Sequence, residues 1–116
     1  TWYIQDILNR LYQNRKEITI AEINEVIIEL VNEQEVAFIS YYDSLTDNQA
    51  ALLSAIAKEG AVPSVLSQEF ISKHSLPATS SVSLALKTLL NREFVYKYNG
   101  SYIIYDRFFG IWLKEK

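Results

Sequence analysis

Apolar residues recur at spacings of three and four through the first eighteen positions. Trp2, Tyr3, Ile4, Ile7, Leu8, Leu11 and Tyr12 make one helical stripe. No capping residue precedes Thr1, so the chain is expected to start at or inside a helix, as a piece of a larger protein would. Thr19 followed by Glu22 reads as a capping box, the hydroxyl accepting from the Glu22 amide while the carboxylate reaches back. Ile20, Ile23, Ile27, Leu30, Val31, Phe38, Tyr41 and Leu45 then keep a helical period, with Glu22, Glu25, Glu29, Glu33 and Glu35 on the other faces. That pattern predicts a long amphipathic helix, broken or kinked near Asn32–Gln34, whose acidic side is a solvated face.

A second capping box, Leu45-Thr46-Asp47-Asn48-Gln49, has Leu45 placed to staple against Ala50. Its helix turns Leu52, Leu53, Ile56 and Ala57 inward and stops at Gly60. Ala61-Val62-Pro63 is an extended link. Ser64 or Ser67 caps a short helix with Phe70 and Ile71, and Leu76-Pro77 makes the next turn. Thr79 or Ser80 opens a third helix with a buried stripe of Val82, Leu86, Leu89 and Leu90. The period then changes to two: Phe94–Tyr98 and Ser101–Tyr105 are strands, joined by Asn99-Gly100, a type I′ hairpin signal. Asp106 caps a last helix carrying Phe108, Phe109, Trp112 and Leu113. Three helices followed by a two-stranded hairpin is the order of a winged helix-turn-helix, with the third helix for recognition and the hairpin as wing. The fold class is therefore mainly α with a small β-hairpin. Clustered on the hairpin and final helix, Tyr96, Tyr98, Tyr102, Tyr105, Phe108, Phe109 and Trp112 are expected to form a core that pins the wing.

Several of these segments resemble one family. Leu45-Thr46-Asp47-Asn48-Gln49 with Ala55-Ile56-Ala57-Lys58-Glu59-Gly60 is similar to the opening of its tail domain. Ser80-Ser81-Val82 with Ala85-Leu86 and Leu89-Leu90 is similar to its third helix. Tyr102, Tyr105-Asp106, Phe108-Phe109 and Trp112-Leu113 resemble its closing segment, and Tyr3-Ile4-Gln5 resembles a stretch near the end of its ATPase module. The family is the archaeal-type AAA-like ATPases, in which a P-loop core precedes a helical lid and a winged helix. The resemblance implies that residues 1–45 are a helical lid fragment and residues 46–116 the winged-helix domain. It also implies a parent that binds ATP and magnesium, and the ATPase core of the same parent chain as a partner.

Charge separates the chain into two parts. Residues 1–57 carry three basic and nine acidic side chains, residues 58–116 eight and five, and no Lys or Arg lies between Glu17 and Ala57. The later part is the one suited to an anionic partner. Cysteine is absent, which excludes disulfides and thiol catalysis; with one histidine and no acidic metal loop, no metal site is expected. A phosphate-cradling loop needs a glycine followed by lysine, whereas Gly60, Gly100 and Gly110 are followed by Ala61, Ser101 and Ile111. No catalysis and no bound cofactor are expected of this chain. His74 reads as a surface or capping residue. With no signal peptide and no apolar run long enough to span a bilayer, a cytoplasmic location without membrane contact is expected.

The candidate function is recognition, with double-stranded DNA as the first candidate partner. Ser80 and Ser81 with the free amides of the third helix suit a phosphate; Lys87, Arg92 and Lys97 suit further phosphates; Ser83, Thr88 and Asn91 suit base edges; and Asn99 sits at the wing tip. Three phosphate contacts give a salt slope of about −2.7, weak for a monomer, so useful affinity needs a homo-oligomer. Leu84 on the same helix reads equally well as a protein contact. The rival function is a docking module that packs on the ATPase core and couples nucleotide state to assembly.

Overall fold

The structure, a computed structural model, describes residues 5–10 and 20–116. A helical stretch at residues 5–10 (α1) is followed by α2 (Ile20–Glu33), α3 (Glu35–Asp43), α4 (Asp47–Glu59), α5 (Gln68–Lys73) and α6 (Thr79–Asn91). The hairpin β1 (Val95–Tyr98) and β2 (Ser101–Ile104) and a last helix, α7 (Arg107–Glu115), complete the order. The expected first stripe falls largely outside the described residues, as does Thr19 of the first capping box. Within them, Ile7 packs on the core and Leu8 is exposed.

The expected break in the long helix lies at Gln34, whose N–H is shared between the Leu30 and Val31 carbonyls at 3.2 Å each. Its stripe is largely the expected one: Leu30, Val31 and Phe38 are buried and Ile23, Ile27 and Leu45 pack against the core. Ile20, 78% exposed, and Tyr41 fall outside it, and Val26 is buried in addition, on the side where α7 packs along α2. Arg10 ties α1 to α2, lying 2.9 Å from Asp6, 3.2 Å from Glu29 and 2.8 Å from Glu33. These bonds, that to Glu33 foremost and then that to Asp6, raise the guanidinium's pKa, and the Glu33 carboxyl is lowered in return.

At the centre stands α4, with Leu52, Leu53 and Ile56 fully buried against α6, α7 and β2. Its start is the expected reciprocal cap: the Thr46 hydroxyl accepts from the Gln49 N–H and the Gln49 side chain accepts from the Thr46 N–H. Its end is Gly60 at φ 84°, a conformation that favours glycine. Ser67 caps α5, and Asp106 accepts from the Phe108 and Phe109 amides to start α7. The α6 stripe is Val82, Ala85, Leu86 and Leu89; Leu90, expected inside, is half-buried, and Ala85 takes its place.

Both α5 and α6 end without glycine. After α6, Glu93 sits at φ 63°, the Phe94 N–H donates to the Leu89 carbonyl at 3.0 Å, and the Glu93 N–H donates to that of Leu90. After α5, Ser75 at φ 53° makes the same pair of bonds, with Leu76 reaching Ile71 at 2.9 Å. These are Schellman endings with an L-residue in left-handed backbone, a conformation disfavoured by about 1–2 kcal/mol. They persist because the following residue, Leu76 or Phe94, is packed against the core.

The hairpin pairs Val95 with Ile104 and Tyr98 with Ser101, and the turn has φ 50° at Asn99 and 80° at Gly100, as a type I′ turn requires. The extended link supplies a minimal third strand: Val62 and Tyr102 exchange both backbone bonds, at 3.0 and 2.8 Å. The wing is thereby fastened to the loop after α4. The helix-turn-helix angle is fastened by Glu59, which lies 2.8 Å from both Lys73 and His74 at the end of α5. The single histidine, the residue after α5, thus shares the Glu59 carboxylate with Lys73.

Two outcomes follow. Glu93→Gly relieves the left-handed residue and is expected to raise stability by about 1 kcal/mol, seen as a Tm increase of about 4 °C. The bond to Lys73, and next that to His74, holds the Glu59 carboxyl below its ordinary 4.5, and Glu59 holds the Lys73 ammonium above 10.5. A lowered carboxyl gives stability that is complete above 4.5 and lost as pH falls through its folded value. A raised ammonium gives stability that is complete below 10.5 and lost as pH rises through its folded value. The stability difference between the native chain and Glu59→Gln, followed by denaturant melts across pH, should therefore shrink as pH falls below 4.5 and again as it rises above 10.5.

Candidate nucleic-acid interface

The face of α6 opposite its buried stripe carries Ser80, Ser83, Leu84, Lys87 and Asn91, all exposed and spaced to fall in one row. No acidic residue occurs between Thr79 and Arg92. The helix starts on Ala78, which offers no side-chain cap, so its first amides point outward without a side-chain acceptor. Gln68 of α5 donates to the Thr79 hydroxyl at 3.4 Å and links the two starts of the helix-turn-helix.

The candidate residues divide by what they touch. Ser81 and Thr88 are half-buried, and the Thr88 hydroxyl donates to the Leu84 carbonyl of its own helix. Lys87 is exposed and makes no ion pair among the described residues. Arg92 is engaged: its Nη2 donates to the Ser44 hydroxyl at 2.9 Å, and its guanidinium stacks 4.8 Å above the Phe94 ring. The Ser44 hydroxyl itself donates to the Tyr41 carbonyl at 2.6 Å. Arg92 therefore bridges the end of α6 to the α3–α4 junction. On the wing, the Lys97 ammonium lies 5.4 Å over its cross-strand neighbour Tyr102, and Tyr98 and Asn99 stand exposed at the tip. The structure thus places Ser80, Ser83, Lys87 and Asn91 together on α6 and Lys97 and Asn99 on the wing, and engages Arg92, exposed at the end of α6, with Ser44 and Phe94.

The aromatic residues form two groups rather than the single core expected. Phe108 and Phe109 are buried, and Phe94 and Trp112 pack against the core, as does Tyr102. Tyr96, Tyr98 and Tyr105 instead cluster on the outer face of the hairpin, with Tyr96 edge-on to Tyr105 at 5.5 Å and 6.3 Å from Tyr98. Val95 and Ile104, paired in register, fill the core, and Tyr96, Tyr98 and Tyr105 have the other parity and lie on the opposite face, where Ile103, the partner of Tyr96, is nonetheless buried.

Among the described residues there is no group of three His, Asp or Glu that could bind a metal ion, and no helix is long and apolar enough to cross a membrane. No curated protein and no solved structure matches the chain. A family model described as "Probable winged helix domain" matches residues 36–115, well over half of the chain. The match takes in α4, α5 and α6, the hairpin and α7, the elements that build the interface just described. The chain belongs to this winged helix family.

Proposed function

We propose that this domain is a non-catalytic recognition module that meets duplex DNA through the outer face of α6 and the wing. The observation that carries the reading is the α6 surface itself: an uncapped N-terminus and a row of Ser80, Ser83, Lys87 and Asn91 without an acidic side chain among them. Phosphates suit the first amides of α6, Lys87 and Lys97; Ser83 and Asn91 suit base edges. Arg92, held at the surface by Ser44 and the Phe94 ring, fixes the end of α6. The resemblance to archaeal-type AAA-like ATPases supports a further assignment: residues 1–45 as lid helices, residues 46–116 as the tail domain, and ATP and magnesium handled by the P-loop of the parent in the cytoplasm.

A second reading rests on one residue. Leu84 is 67% exposed in the middle of the row, where a leucine suits a protein surface better than a groove of DNA. Under that reading α6 docks on the ATPase core of its parent.

Gel shifts of a duplex against salt decide between them. Two lysine–phosphate contacts give a slope of about −1.8, which Lys87→Ala should reduce to about −0.9 and Arg92→Ala should leave unchanged. Absence of binding at about 50 mM salt, together with saturable binding to the parental core that Leu84→Asp abolishes, would overturn the DNA reading in favour of docking.

A further inference from the structure

Leu84 stands one turn after Ser80 and one turn before Lys87, with Asn91 a turn beyond, and this spacing sets all four on one stripe of α6. The opposite side of the helix buries Val82, Ala85 and Leu89. Of the four leucines in α6, Leu86 and Leu89 are buried and Leu90 is half-buried, whereas Leu84 is 67% exposed and no part of the core. The fold therefore does not account for a leucine at this position. Its neighbours on the stripe are polar or basic, and Ser83 beside it is exposed as well.

We propose that Leu84 reads the C5-methyl group of a thymine in the major groove, so that the interface selects an A·T pair facing the middle of α6. This rests on the DNA reading given above and names the specificity of that same surface. Base edges in the major groove present hydrogen-bond acceptors, amino donors and a single kind of apolar group, the thymine methyl. A leucine laid against a polar edge strips it of water and returns no hydrogen bond, which is costly. Against the methyl, two apolar groups leave water together. Position suits the role. Ser80 to Lys87 covers about 10 Å of helix at about 1.5 Å per residue, the length of about three base-pair steps of about 3.4 Å. Leu84 lies near the middle of that span, with polar side chains on either side to meet the polar groups of neighbouring pairs. The contact involves no phosphate, so its contribution does not follow salt as the lysine contacts do.

Gel shifts of the 116-residue chain at about 50 mM salt test it on two alternating A·T duplexes of equal length, one with thymine and one with deoxyuridine throughout. The two differ in the methyl group, and each presents its pyrimidines in every register. The thymine duplex should bind about fourfold more tightly, the effect of one buried methyl, and with the same salt slope. Leu84→Ser should bind the two alike, with an unchanged circular dichroism spectrum because Leu84 is outside the core. Lys87→Ala should weaken both and keep their ratio. Equal binding of the two duplexes by the native chain, or a thymine preference that survives in Leu84→Ser, would overturn the methyl contact and leave the DNA reading standing. Absence of binding to either duplex would overturn both and return Leu84 to the docking surface.

Discussion

Phe109 is fully enclosed where three parts of the chain meet, and its ring has four aromatic neighbours: Phe38 at 5.2 Å, Tyr41 at 5.7 Å, Phe94 at 5.9 Å and Trp112 at 5.9 Å. Each neighbour brings a different constraint. Phe38 and Tyr41 belong to α3, in the arm that α2 and α3 form, Trp112 to the same final helix, and Phe94 to the junction between α6 and the wing. Aromatic contacts of this kind add about 0.5–1.5 kcal/mol each beyond the area they bury, so the cluster outweighs any one hydrogen bond in the domain. Phe109 in turn is placed by Asp106, whose carboxylate caps α7 immediately after β2. The placing of the end of α6 therefore depends on a cap at the far end of the hairpin, transmitted through rings. Replacing Phe109 by a small residue would remove the shared neighbour and leave the arm, the wing and α6 without a common reference.

The parts of this arrangement that local chemistry dictates were legible in the sequence. Asn99-Gly100 fixed the turn type and with it the register, and Thr46 with Gln49 marked the start of α4 to the residue. What escaped reading depends on the tertiary structure. Glu93 and Ser75 carry no mark of left-handed backbone; the geometry is imposed by burial of Phe94 and Leu76 one residue later. Parity in the hairpin was legible only as an alternation, since which set faces inward is decided by whether Val95 or Tyr96 meets α4 and α6. The Ser44–Arg92 contact spans 48 residues and has no sequence signal at all. For the candidate site this matters most: a cation counted by residue type as a phosphate ligand is, in the folded chain, already occupied.

The occupation of Arg92 has an energetic consequence. Moving its guanidinium to a phosphate gains a charge-assisted bond but gives up the Ser44 bond and the face of Phe94, interactions worth about 1 kcal/mol each. The exchange is close to neutral, so Arg92 contributes more to the placing of α6 than to affinity. On the DNA reading proposed above, duplex binding would rest on a few contacts of modest strength and rigid geometry, a combination suited to a module that acts in multiple copies.

Charge distribution supplies the orientation that so few contacts cannot. The arm from Ile20 to Asp43 is purely acidic, whereas α6 from Thr79 to Arg92 has no acidic residue. An approaching polyanion is therefore turned away from the arm, and α6 and the wing become the side with least repulsion before any contact forms. Such steering works over about a Debye length and fades with salt, in step with the lysine contacts themselves. On the DNA reading, the uneven charge of the chain, which as composition alone is only a net of −3, would thus present α6 and the wing, rather than α2 and α3, to the duplex.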